Sequence, residues 1–219
     1  MTLIPSVLYL TQKFQPARRV RREKLAAHAG VSIYEVAMKT LGLTGMAFFI
    51  FCVSLASADP RIADIRKEYQ TIRGALSTYT QEVVELDGYS AEGGTAKAFR
   101  DAKGNIRFIR VELYGESGKV FEEYYYRNGR LLFAFYEHHR YNVPFNVSKE
   151  TAKELGIEPF DPKKTKITED RYYFDKGTMI KWLDEEKKDV EIKSRDFQDK
   201  AKEVIDFSNE MLAKFKSRT

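Results

Sequence analysis

The chain has 219 residues, with 37 Lys/Arg, 32 Asp/Glu, a formal net charge of +5 and one cysteine. Seven of the basic and two of the acidic residues lie in positions 1–58, which leaves 30 of each from Asp59 onward and removes the general electrostatic case for nucleic acid or another polyanion. Cys52 also precedes Asp59, so the remainder carries no disulfide, no thiolate nucleophile and no cysteine-held metal, and its roughly 160 residues must rely on a packed core.

Residues 38–58 read MKTLGLTGMAFFIFCVSLASA, with Lys39 as the basic start, an apolar run from Met46 to Val53, and Ala56 and Ala58 at the positions that signal peptidase inspects. Basic, apolar and small-residue parts in that order make a secretory signal peptide of bacterial type, with translation starting at Met38 and cleavage between Ala58 and Asp59. The apolar run falls short of the roughly 20 residues that cross a bilayer, so no permanent membrane anchor is expected. Cys52 follows Phe51, not a small residue, which argues against lipid attachment. The mature domain, 59–219, is expected in the periplasm or secreted. Within residues 1–37, the stretch from Leu25 to Val36 resembles the helix-turn-helix of bacterial repressors through Ala26, Gly30, Val31, Ser32 and Val36. Lys39 stands where that motif buries an aliphatic residue, and no third helix follows.

From Asp59 onward the first periodic segment is 60–74, where Ile62, Ile65, Tyr69 and Ile72 recur at helical spacing before Gly74. Between Tyr79 and Tyr141, short aromatic and β-branched runs alternate with turn signals such as Lys103-Gly104-Asn105 and Asn128-Gly129. These predict strands near 79–86, 94–101, 106–114, 119–127 and 130–137, joined antiparallel because their turns are short. The fifth run, Leu131 to Tyr136, is apolar on both faces, so it is expected in the middle of the sheet or beneath a helix. An insertion follows, with a short helix from Lys149 to Leu155 capped by Ser148 and stopped at Gly156. A last hairpin spans Lys166–Phe174 and Met179–Leu183. The closing segment, from Arg195 to Lys216, places Phe197, Ala201, Val204, Ile205, Ser208, Met211, Leu212 and Phe215 on one helical stripe. The expected fold class is therefore α+β: an antiparallel β-meander of about seven strands, an N-terminal helix, and a long amphipathic C-terminal helix packed on the sheet.

Two of the hairpins share a pattern, Tyr124-Tyr125-Tyr126-Arg-Asn-Gly129-Arg-Leu131 and Tyr172-Tyr173-Phe174-Asp-Lys-Gly177-Thr-Met179, and a looser form runs from Phe99 through Gly104 to Ile106. The pattern resembles the variant MORN-type hairpin repeat of bacterial proteins, including the YwqK antitoxin-like group. That resemblance implies a protein-interaction role without catalysis, and it assigns no residue a function.

Candidate site residues come from two features. The cluster Glu137-His138-His139-Arg140-Tyr141 contains both histidines that follow Asp59, but neighbours on a strand point to opposite faces, so both cannot readily hold one metal. Aromatic density is the second. Tyr125, Tyr136, Tyr141 and Trp182 are candidate contacts, with core packing as the alternative for each ring, and Tyr125 is the better candidate for an exposed one because Phe121, Glu123 and Tyr125 share the face opposite Val120, Tyr124 and Tyr126. Neither a metalloprotease His-Glu-x-x-His nor a Gly-x-Ser-x-Gly elbow occurs. No cofactor, metal or catalytic residue is assigned. The leading expectation is a non-enzymatic protein that binds an envelope protein, glycan or lipid. The alternative is an envelope hydrolase using a carboxylate pair with His138 or His139.

Overall fold

A computed structural model describes residues 59–216, so the leader, the repressor-like stretch and Ala58 lie outside the described residues. Asp59 caps the first helix, α1 (Pro60–Ala75): its carboxylate accepts the Arg61 N–H at 2.9 Å, and Pro60 sits where a missing N–H costs nothing. After one 3-10 turn come seven strands, β1 (Thr80–Glu85), β2 (Gly94–Arg100), β3 (Ile106–Gly115), β4 (Gly118–Arg127), β5 (Arg130–Arg140), β6 (Lys166–Asp175) and β7 (Thr178–Leu183). They pair antiparallel in chain order as one meander. The insertion carries α2 (Lys149–Leu155), capped by Ser148 and closed by a left-handed Gly156, and the chain ends in α3 (Arg195–Lys216).

The three hairpins with the shared pattern also share a geometry. Residues Asn128-Gly129 and Lys176-Gly177 all have positive φ, the two-residue turn whose twist matches that of the strands it joins. In each hairpin the register slips just after an aromatic residue, at Phe99, Tyr125 and Tyr173. All three of those rings lie on the same face and pack with Ile62, Ile65 and Ile72 of α1. The slips fall at one end of the sheet, and that is the end α1 crosses. Ion pairs hold it there, Arg61 to Asp175 at 3.8 Å, Asp64 to Arg127 at 2.7 Å and Glu68 to Arg107.

The opposite face is covered by α3. Phe197, Val204, Phe207, Met211, Leu212 and Phe215 bury against Ile109, Val111, Tyr124, Tyr126, Tyr136 and Tyr172. Each such side chain contributes roughly 2 kcal/mol of transfer free energy, which outweighs the polar outer face of the helix. Phe207 lies off the stripe read from the sequence but is only 5% exposed, because Tyr89 from the β1–β2 loop reaches over to it. With α1 on one face and α3 on the other, β5 is apolar on both sides, as its sequence required.

Candidate functional site

Strand alternation divides the candidate residues between two environments. Tyr136, His138 and Trp182 project to the α3 face, while Tyr125, Glu137 and His139 project to the α1 face. The strand β5 runs on to Arg140, three residues past its expected end, so the two histidines stand inside a regular ladder and face apart. Tyr141 lies beyond it, edge-on to Phe160 of the insertion at 5.1 Å.

The expectation for Tyr125 is corrected by the structure. Its ring is fully buried between Tyr69 of α1 and Phe108, at centroid distances of 4.8 Å each, because α1 crosses the face that strand alternation alone leaves open. The hydroxyl donates to Glu123, whose other carboxylate oxygen lies 3.4 Å from Arg73 and 3.2 Å from Arg110. Burial, reinforced by the Glu123 charge, holds the Tyr125 phenol far above its ordinary range. Tyr136 is also fully buried, so neither ring is a surface contact.

On the α3 face a polar chain runs through the core. Tyr124 donates its single hydroxyl proton to Glu122 at 2.6 Å, so the Tyr136 hydroxyl, 2.7 Å away, donates to Tyr124. Beside it, the Trp182 indole N–H donates to Asp170 at 2.8 Å, and His138 Nε2 lies 3.6 Å from the second Asp170 oxygen. That last separation is an ion-pair distance, too long for a hydrogen bond. Burial raises the Asp170 carboxyl above its ordinary range. Among the described residues no group of three metal-binding side chains converges.

The α1 face is open where α1 does not reach. Around its middle, Phe121 lies between two cations, Arg110 and Lys119, each 4.8 Å from the ring centroid, with His139 edge-on at 5.2 Å. His139 bonds Glu137 at 2.5 Å. Further toward the rim, Glu112 accepts from Arg110 and from Tyr114, and the latter bond pushes the Tyr114 phenol up to about 12. Phe121, Phe135, Glu137 and His139 are all partly exposed.

Where the open half meets α1, a groove of about 270 Å³ is floored by Phe133, Phe135 and Tyr173 and walled by Ile65 and Tyr69. Arg66, Gln70 and Arg171 supply its polar rim. Sequence reading missed this groove. Its residues come from α1, β5 and β6, spread from Ile65 to Tyr173 in the chain, and no local motif joins them. A second hollow, about 490 Å³, lies past Arg66 between the start of α1 and the segment 189–192. No protein-family model, no curated protein and no solved structure matches the chain.

Proposed function

We propose that the chain is an exported protein of the periplasm or the exterior that binds an envelope partner through the half of the sheet that α1 leaves uncovered. The observation that carries this reading is the surface around Phe121 and Phe135, two partly exposed rings set among Arg110, Lys119 and Arg171 and the carboxylates of Glu112, Glu137 and Glu169. Of the three expected partner classes, protein, glycan and lipid, this equal mixture of signs favours a protein. An anionic lipid surface is repelled by the carboxylates, and a neutral sugar answers neither charge. The hairpin resemblance points the same way. A chain cut between Ala58 and Asp59 retains the Asp59 cap of α1, so export leaves the domain's first helix whole.

The test is affinity capture from periplasmic extract with the mature protein and with its Phe121→Ala variant. Phe121 is only partly buried and its loss spares both cores, so the variant is expected to fold and to lose the partner. Equal capture by both proteins refutes the surface. N-terminal sequencing of the exported product tests the leader, and a product that begins at residue 1 or 38 overturns it.

A second reading, an envelope hydrolase, draws on the approach of His138 to Asp170 and of His139 to Glu137. Replacing Glu137, His138 and His139 together separates the two: a binder retains capture, whereas a hydrolase loses turnover.

A further inference from the structure

Two guanidinium groups rim the groove between α1, β5 and β6, and neither is fully answered by the protein. Arg66 projects from the exposed side of α1 over the Tyr173 ring, 5.9 Å from its centroid, and has no carboxylate partner among the described residues. Arg171 stacks on Phe135 at 5.2 Å and gives its Nη2 to Glu169, but its Nη1 is buried without an acceptor. An enclosed donor left unmade is costly, and most such groups in folded proteins find a partner. The neighbouring cation Lys181, which lines the second hollow, is by contrast paired with Asp189 at 2.8 Å. The charge left over at this groove is therefore positive, while its floor is aromatic and its walls are aliphatic.

We infer that the groove is a site for a free apolar monocarboxylate, an aliphatic or aromatic acid of modest size. Its carboxylate lies at the rim against Arg66 and Arg171, and the Arg171 guanidinium must turn to bring its enclosed Nη1 to the ligand. The apolar body covers Phe133, Phe135 and Tyr173. The volume, about 270 Å³, lies near the lower end for small-molecule sites and admits one short acyl chain or one ring. Guanidinium groups suit this role because their planar fork matches a carboxylate and stays charged at every physiological pH. The inference deepens the reading of the domain as a binder and rests on it.

The test titrates the purified protein with sodium octanoate, with octanol and octylammonium as neutral and cationic matches, and follows side-chain NMR signals of Ile65, Tyr69 and Phe133. Octanoate is expected to shift these signals saturably, octanol to bind at least about tenfold more weakly, and octylammonium to leave them unmoved. Arg66→Gln is expected to weaken octanoate about tenfold and leave octanol unchanged. Because Arg66 is exposed and unpaired, that variant keeps its fold even if Arg171→Gln does not. Octylammonium or octanol binding as tightly as octanoate, unchanged affinity in Arg66→Gln, or shifts confined to other residues each overturns the proposal. So does tighter binding by an acetylated tripeptide ending in phenylalanine, which reassigns the groove to peptide termini. Phe121 lies outside the groove, so partner capture that survives the failure of octanoate removes only the carboxylate site.

Discussion

Glu122 and Tyr124 stand two residues apart on β4, both fully buried, and the Tyr124 hydroxyl donates to the Glu122 carboxylate while accepting from Tyr136. One face over, Tyr125 and Glu123 repeat the arrangement, but there Arg73 and Arg110 also reach the carboxylate. Removing one hydroxyl should therefore not equal removing the other. Tyr124→Phe strips two hydrogen bonds from an enclosed chain and is expected to cost about 2–3 kcal/mol, whereas Tyr125→Phe leaves Glu123 with its arginines and should cost about half as much. Urea denaturation of both variants checks the order. Equal losses would show that the polar chain under α3 is no more dependent on its hydroxyl than the α1 side.

Gly94 opens β2 where a Cβ would lie 2.5 Å from the backbone oxygen of Glu112 and 2.8 Å from a Leu113 methyl. Backbone oxygen in a paired strand cannot give way, so Gly94→Ala is expected to destabilise by about 2 kcal/mol or more. Gly74, inside α1 with nothing near its would-be Cβ, supplies the contrast, and Gly74→Ala should be neutral or stabilise by up to about 1 kcal/mol. Melting temperatures that move together in the two variants would contradict the packing argument.

Asp170 predicts a pH dependence. Burial holds its carboxyl above the ordinary 3.8, against the lowering effects of the Trp182 N–H and the Lys200 charge. Above pH 3.8 and up to the raised value, the folded state holds the proton more firmly than the unfolded chain, so stability falls as pH rises through that window. Glu112, held below its ordinary value, acts in the opposite sense but is common to both proteins compared. Asp170→Asn keeps an acceptor for Trp182 and removes the buried charge. Its stability relative to the parent should rise as the buffer goes from about pH 4 to about pH 7. A relative loss over that interval would overturn the raised Asp170 carboxyl.

Phe207 and Ser208 join α3 to the sheet by different means. Ser208 Oγ lies 2.9 Å from the Tyr126 hydroxyl, and both side chains are buried. Ser208→Ala should cost about 1 kcal/mol through the lost hydrogen bond, and Phe207→Ala about 3 kcal/mol or more through the cavity beneath Tyr89 and Tyr124. If Phe207→Ala costs no more than Ser208→Ala, the Tyr89 loop collapses to fill the space.

Local structure was legible in the sequence because its signals are local. Helical spacing of Ile62, Ile65 and Ile72 set α1, Ser148 and Gly156 bounded α2, and Asn128-Gly129 and Lys176-Gly177 placed the turns that force an antiparallel meander. Even the double-sided burial of β5 followed from its composition. Alternation also sorted Tyr124 and Tyr126 from Tyr125 correctly by face, and put His138 and His139 on opposite sides. Alternation does not say which face is wet, however, and it left Tyr125 open between a surface contact and the core.

Coverage of the sheet follows from long-range packing. The strap of α1 across the hairpin ends buries Ile62, Ile65 and Ile72 against Phe99, Tyr125 and Tyr173 and is flanked by ion pairs such as Glu68 with Arg107 and Arg61 with Asp175, all between residues about 40 to more than 100 positions apart, and such partners leave no periodic trace in either segment. Where α1 lies, Tyr125 is core. Where it stops, Phe121 and Phe135 meet solvent and a groove opens beside Arg66 and Arg171. The elements and their order are written in the local sequence, since turns and periodic burial set them. The site belongs to the packing of one helix over half a sheet.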